Sequence, residues 1–369
     1  MSAANSTGRM VPAVLDGVPV KWNPDIDETL VCCHIRQETH DVKSFLCRTR
    51  KPSLFRFQPG QFITLELEIE GETINRCYTI SSPPTRPDTL SITVKRQPGG
   101  KVSNWLHDNL TPSSEIKALG PAGEFSYTRH TAQKYLFLSG GSGVTPLMSM
   151  VRTHYDLGED KDIVFVHSAR TPLDIIFNRE LETIAAGMAH FKTAFVCEKS
   201  GDGKPWEGHT GFLTLQMLRD ISRDFAQREI FCCGPAAYMS AVRGLLEGIG
   251  FNMAHYHDES FSFGDHLQPA VVQKPTQATP VAGSFKIEFT KSGQSISCGP
   301  DQFILDAARD AGMRLPFSCS KGLCGTCKSK KLAGNVVMTH GGGIRQREID
   351  AGMVLICCSK PLSDVVIEK

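Results

Sequence analysis

In the first third of the chain, apolar and polar residues alternate in short runs. VCCHIRQE, SFLCRTR, QFITLELEI, RCYTIS and LSITVKR are β-rich, and Pro-Gly, Glu-Gly and Pro-Gly-Gly breaks separate several of them. Short strands with regular turn signals predict an antiparallel β-barrel or sandwich over residues 29–130. At Lys134 the pattern changes. KYLFLSGG is a continuous apolar run ending in glycines, and a helical stretch over about Pro146–Tyr155 follows. DIVFVHS, KTAFVCE and REIFCCG are further strand runs with helix-like segments between them, which predicts a parallel α/β sheet over residues 131–264. Residues 265–283 are rich in Pro, Ala, Gln and Thr and read as a linker. Residues 284–369 open with the alternating FKIEFT, then a turn and a helix over about Ile304–Ala311, and predict a small α+β domain dense in cysteine. Residues 1–28 have no clear period and read as an N-terminal extension.

Charge removes some functions. Forty Lys+Arg against 39 Asp+Glu give a net charge of +1, too balanced for non-specific nucleic-acid binding. No apolar run approaches the roughly 18 residues of a membrane span. The mildly apolar stretch Met10–Val20 is broken by Pro12, Asp16, Gly17 and Pro19, so no secretory pattern is present and a cytoplasmic location is expected. Thirteen cysteines are many for such a chain, and in a reducing compartment clustered cysteines bind metal or do redox chemistry.

Their spacing is informative. Cys319-x4-Cys324-x2-Cys327, followed by Cys357 after 29 residues, is the plant-type [2Fe–2S] pattern. Three thiolates come from one loop of small residues and the fourth from a distant segment. Structural zinc usually takes two separated C-x2-C knuckles, which this is not. Cys358 competes with Cys357 for the fourth position; the run MVLICC selects Cys357 through its likeness to the ferredoxin pattern Val-Leu-x-Cys. Gly322 and Gly325 are expected to let backbone N–H groups approach the cluster sulfurs.

Two further constellations precede the cysteines. Arg76, Tyr78, Thr79 and Ser81 in RCYTISS offer a diphosphate clamp, an aromatic face and hydroxyls for a flavin. Lys95, Gly100, Val102 and Ser103 lie in KRQPGGKVS, a glycine-rich segment suited to phosphates. Gly141, Gly143, Thr145 and Pro146 lie in GGSGVTP, which follows a strand and opens a helix, the setting for a pyrophosphate at a helix N-terminus. Pro146 is expected at the first helical position. Cys233, Gly234 and Pro235 end a later strand, where a small polarizable residue is suited to pack against a nicotinamide ring; a strand-end turn with a buried thiol is the alternative.

In this order, RCYT, GGSGVTP, CCGP and the C-terminal cysteine pattern resemble the ferredoxin–NADP reductase superfamily with a fused ferredoxin domain, as in the reductase components of Rieske-type oxygenase systems. The resemblance covers residues 29–369. RCYTISSPP, ITVKRQPGGKVSNWLHDNL and HSARTPLDIIF carry it further, toward reductases serving glycine betaine demethylation. It implies an antiparallel β-barrel FAD domain, a parallel-sheet NAD(P) domain and a β-grasp ferredoxin domain. It implies that Arg76 and Ser103 hold the FAD diphosphate, that Tyr78 and Thr79 hold the flavin ring, and that Cys233 sits by the nicotinamide. Glu259 and Phe261 in DESF resemble the E-x-F segment near the flavin. Tyr78, Thr79, Cys233 and Glu259 are thereby the catalytic candidates. KRQPGGKVSNWL fits FAD rather than FMN. Glu198 favours NADH, while Arg170 and Lys199 leave NADPH open. The implied activity is electron transfer from NADH through FAD and a [2Fe–2S] cluster to a Rieske-type oxygenase. The alternatives are reduction of a hybrid-cluster protein or of another Rieske oxygenase. The cluster domain is expected to swing on its linker, and Lys328, Lys330 and Lys331 to steer a partner. The pair His255 and His257 is assigned no metal.

Overall fold

The protein is described here from a computed structural model covering residues 20–24, 26–201, 206–261, 283–313, 315–317 and 319–369. The linker at 265–282 and most of the N-terminal extension lie outside the described residues.

Six strands make the first domain: β1 (Thr29–Thr39), β2 (Val42–Thr49), β3 (Phe62–Ile69), β4 (Glu72–Thr79), β5 (Leu90–Lys95) and β6 (Glu115–Ala122). They pair in the order β4-β3-β6-β1-β2-β5, and an antiparallel bridge between Ile80 and Ile92 joins the two ends into a barrel. The Glu70–Gly71 turn of the β3–β4 hairpin has both residues left-handed, as a tight twisted hairpin requires. Alternate positions such as Leu65, Leu67, Ile92 and Val94 fill the interior. Helix α1 (Lys101–Asn109) closes one end with Val102 and Leu106 in that core. The barrel begins earlier than residue 29. Lys21 pairs with Leu54, and Trp22 is buried edge-on against Phe55 with its indole N–H donating to the Asp27 carbonyl. Lys21 and Trp22, within the stretch read as an extension, thus pack on the barrel; one tryptophan at the end of a featureless stretch gives no periodic signal.

The second domain is a six-stranded parallel sheet of β7 (Lys134–Gly140), β8 (Asp162–Ala169), β9 (Phe191–Cys197), β10 (His209–Thr210), β11 (Glu229–Gly234) and β12 (Tyr256–Ser260), in the order β10-β9-β8-β7-β11-β12. Helices α2 (Val144–Leu157), α3 (Asn178–Gly187), α4 (Leu215–Ile221) and α5 (Ala236–Glu247) cover it. Tyr135 and Phe137 pack with α2 and α3, while Leu136 and Leu138 pack with α4 and α5. Burial on both faces explains the unbroken apolar runs. The strand order reverses between β7 and β11, which opens a crevice at their carboxyl ends.

The third domain holds β13 (Phe285–Phe289), β14 (Gln294–Cys298), α6 (Ile304–Asp310), β15 (Lys328–Ala333), β16 (Val336–Met338), α7 (Gln346–Asp350), β17 (Met353–Leu355), β18 (Ser359–Pro361) and β19 (Val365–Glu368). Five strands form a mixed sheet in the order β14-β13-β19-β15-β17. Ile304, Leu305 and Ala308 of α6 are buried with Ile287, Phe289 and Ile367 of the sheet, a β-grasp arrangement.

Candidate redox site

Strand β4 lies between the barrel core and the third domain. Alternation places Ile74 and Tyr78 toward the barrel core, and burial pushes the Tyr78 phenol well above its ordinary pKa. Asn75 and Cys77 point the other way, with Thr64 of β3, onto the cysteine loop of the third domain. The Thr64 hydroxyl donates to the Cys324 carbonyl at 2.9 Å and the Asn75 amide to the Gly325 carbonyl at 3.1 Å. Cys77 touches the same Cys324. Thr79 is buried at the end of β4.

Beyond β4 the chain is clamped to the second domain. The Ser81 hydroxyl pairs with Thr93 at 2.8 Å and donates to the Ser91 carbonyl. The Ser81 and Ser82 carbonyls accept from Arg152 and Ser149 of α2. Ser81, expected at the flavin, is thus fully buried with its side chain committed inward. Arg152 also makes two 2.7 Å bonds to Glu180, whose carboxyl stays below its ordinary range although burial opposes the charge.

Around α1, the Ser103 hydroxyl accepts from Gln97 N–H at 3.1 Å and donates to the Gly100 carbonyl. The helix starts at Gly100 with no side-chain cap, so its first N–H groups remain available to an anion. Lys95 pairs with Asp41 at 3.3 Å, as does the exposed Arg170. Arg76 lies half-buried on β4.

At the crevice, Gly141–Gly143 form a short 3-10 turn leading into α2. A Cβ on Gly143 would stand 2.2 Å from the Cys233 carbonyl oxygen, so only glycine lets this turn lie across the end of β11. The Thr145 hydroxyl donates to the Ser142 carbonyl at 3.1 Å. Helix α2 starts at Val144, which puts Pro146 third rather than first; it is still in the first turn, where N–H groups lack an intrahelical partner. Cys233 is fully buried and lies beside Glu259 in the β11–β12 register, with Gly234 and Pro235 leading into α5. Burial pushes the Cys233 thiol up and the Glu259 carboxyl up to about 8. Phe261 packs against the apolar core that contains Phe125, Phe231 and Val144.

Two buried polar atoms near this crevice make no hydrogen bond in the protein, Glu259 Oε2 and His167 Nε2, while Tyr238 and Ser168 turn their hydroxyls toward each other. His167 donates to or accepts from Ser139 at 2.8 Å, and burial drives its pKa down to about 3. Unpartnered polar groups around a crevice at the switch point fit a polar ligand such as a dinucleotide.

The third domain gathers the four predicted cysteines. The Cys319 thiol interacts with Cys324, and Cys327 with Cys357. Within each pair the neighbouring thiol lowers one group, Cys324 and Cys357, and raises the other, Cys319 and Cys327. Backbone N–H groups of Lys321 and Leu323 donate to Cys319 Sγ at 3.4 and 3.2 Å. Cys358 turns its thiol to the Leu355 carbonyl. Four thiols brought together from one loop and one distant segment, with backbone N–H donors on Cys319 Sγ, fit a [2Fe–2S] group held by Cys319, Cys324, Cys327 and Cys357.

Other residues carried no motif. Residues 340–343 lie flat on the cysteine loop: a Cβ on Gly343 would meet Gly322 O at 2.8 Å and Leu323 C at 2.6 Å. The run His340-Gly341-Gly342-Gly343 was a readable signal for such an approach. Asp41, Arg152 and Glu180 were not readable, because their partners are distant in sequence. Lys328, expected to be exposed, has a side chain only 8% exposed and pairs with Glu348 at 2.6 Å and Glu66 at 3.7 Å. The Lys330 and Lys331 ammonium groups donate to the Ala351 and Gly334 carbonyls. His255 and His257 both pair with Glu229.

Fold and site together define an iron–sulfur flavoprotein oxidoreductase. Three family models match in order: an oxidoreductase FAD-binding domain over residues 31–127, an oxidoreductase NAD-binding domain over 137–244 and a 2Fe-2S iron-sulfur cluster binding domain over 287–362. The chain belongs to the ferredoxin–NADP reductase superfamily, in the branch that carries a C-terminal [2Fe–2S] domain. It is 48% identical over 343 residues to a glycine betaine monooxygenase reductase subunit of Pseudomonas aeruginosa, covering 91% of this chain and 94% of the relative. It is 41% identical to a stachydrine N-demethylase reductase subunit of Rhizobium meliloti, covering 92% and 96%. The fold matches phthalate dioxygenase reductase with a TM-score of 0.56 at 22% identity, covering 94% of this chain and all (100%) of that one. These relatives are reductase parts of oxygenase systems, and an oxygenase component is the partner they imply. Among the described residues no helix is long and apolar enough to cross a membrane.

Proposed function

We propose that this chain takes hydride from NADH and delivers single electrons to a Rieske-type oxygenase that N-demethylates glycine betaine to dimethylglycine with release of formaldehyde. One observation supports the electron route above the others: the two faces of β4. Tyr78 lies on one face, and Cys77 with Asn75 meets the cluster ligand loop on the other. When bound, FAD accepts a two-electron hydride and releases electrons one at a time, and the [2Fe–2S] cluster carries one. The chain's own work is positioning. Arg76, the N-terminus of α1 at Gly100–Ser103, and Lys95 would hold the FAD diphosphate side. Tyr78 and Thr79 would hold the ring, with Ser81 anchoring their strand. Gly141, Gly143, Thr145 and Pro146 would seat the NADH pyrophosphate. Cys233, Gly234 and Pro235 would form the floor under the nicotinamide, with Glu259 and Phe261 at its edge. Cys319, Cys324, Cys327 and Cys357 would ligate the cluster.

Arg170 is already engaged by Asp41, which leaves less cationic attraction for a 2′-phosphate and supports NADH over NADPH. The quaternary-amine substrate rests on the relatives' names. A cytoplasmic setting is supported by the cluster-type cysteine spacing, which suits a reducing compartment. The test combines the holoprotein, NADH and oxygen with a purified glycine betaine oxygenase component. Betaine-dependent formaldehyde is expected. NADH-driven reduction of an artificial acceptor without formaldehyde would keep the reductase and reject the substrate.

A further inference from the structure

We propose that the cluster domain is held on the barrel by a salt-labile ionic latch, so that its docking is a reversible equilibrium set by Glu28 and Glu66. The two junctions of the barrel are built differently. Toward the nucleotide domain, Val42, Phe125 and Tyr127 of the barrel side share one large core with Phe137, Leu147, Phe165 and Phe231. Toward the cluster domain the apolar contact is small: Phe62, Ala122 and Cys77 against Cys319, Leu323 and Cys324. The main core of the cluster domain contains no barrel residue.

Charges surround that small contact. The cluster domain contributes Lys328, Arg345 and Arg347, and the barrel contributes Glu28 and Glu66. Arg345, 3% exposed in its side chain, reaches Glu66 and Glu28 at 3.6 Å each, its own domain's Glu348 at 3.4 Å, and the Ala118 carbonyl at 3.3 Å. Lys328 joins Glu66 to Glu348, and the half-exposed Arg347 pairs with Glu28. Lys117 of the barrel also reaches Glu28, at 3.3 Å.

This knot is specific without being a seal. Buried ion pairs recover only part of the cost of leaving water unless their hydrogen bonds are complete. Here the buried Arg345 Nε makes no hydrogen bond in the protein, because Glu28 Oε2, which Arg347 also engages, stands 3.6 Å away. Separating the domains exposes little apolar surface and returns the charges to water. Docking therefore aligns the cysteine loop with β4 while remaining easy to undo, and screening by salt shifts it toward release.

The holoprotein serves as it is. Small-angle X-ray scattering would follow its radius of gyration from about 0.1 M to about 1 M KCl, where the screening length falls from about 10 Å to about 3 Å. The native chain is expected to expand by several ångströms. The double variant Glu28→Gln with Glu66→Gln is expected to be expanded already at low salt, with the visible circular dichroism of its cluster unchanged. A native radius independent of salt, or a double variant as compact as the native chain at low salt, would overturn the latch. The salt titration needs no substitution, so it stands even if the variant folds poorly.

Discussion

Arg152 joins the end of the flavin motif to the helix that follows the nucleotide loop, and Arg152→Met tests that joint. The guanidinium donates to the Ser81 carbonyl, makes two 2.7 Å bonds to Glu180, and lies 4.6 Å from the centre of the Phe177 ring. Losing a charged hydrogen bond to a buried carbonyl costs about 1.5–3 kcal/mol. Stranding a fully buried carboxylate costs about 3–5 kcal/mol. Glu180 retains 29% side-chain exposure and has Arg36 at 3.6 Å, so its share is well below that. The sum is about 2–4 kcal/mol, or roughly 5–10 °C in melting temperature for a unit of this size. The assay is calorimetry on the native chain, Arg152→Met, Glu180→Gln and the double variant, with NADH-driven flavin reduction followed in parallel. Flavin reduction should slow while the cluster spectrum stays intact, and the two substitutions should be strongly non-additive. Glu180 is held below its unfolded pKa, so its contribution is present above that value and is lost as pH falls through the folded one. The deficit of Arg152→Met should accordingly narrow in acid. A loss under about 0.5 kcal/mol with additive effects would refute the joint.

Further outcomes follow from the same geometry. Gly143→Ala puts a methyl 2.2 Å from the Cys233 carbonyl, so NADH-dependent reduction should fall at least about tenfold, ~1.4 kcal/mol, with flavin content unchanged; an active variant would remove the turn from the nucleotide site. Cys357→Ser should abolish the cluster's visible absorbance and Cys358→Ser should preserve it, and the reverse would reassign the fourth ligand. Glu259 stays protonated up to about 8, against an unfolded value of about 4.3, so folding takes up a proton between those values and stability declines as pH rises through them. Glu259→Gln lacks that loss, and its melting temperature should gain on the native chain from about pH 5 to about pH 8; a constant difference would mean that the carboxyl is solvated.

The parts legible in the sequence are those written in local spacing. Alternation revealed β2 and β3, unbroken apolar runs revealed β7 and β8, and the cysteine intervals revealed a cluster loop whose four thiols do converge. Helix α6 at Ile304–Asp310 stands where its apolar pattern indicated. What stayed hidden depends on pairs far apart in the chain. Arg345 looks like an ordinary surface arginine until Glu28 and Glu66 fold beside it. Lys328 belongs to a basic run that suggests a solvated face, yet the barrel covers it. Ser81 sits in the flavin motif, but the clamp from α2 turns it inward. Trp22 packs on Phe55 beside the Lys21–Leu54 bridge, a contact that no periodicity announces.

The proposed function requires electrons to pass from the nicotinamide crevice, by way of β4, to the cysteine loop. An anaerobic titration of the holoprotein with NADH, read by visible absorbance and by electron paramagnetic resonance, tests this directly. Two electrons on the flavin and one on the cluster predict full reduction at about one and a half equivalents of NADH, with a reduced-cluster signal. Bleaching of the flavin alone, with no cluster signal at any excess of NADH, would contradict the account.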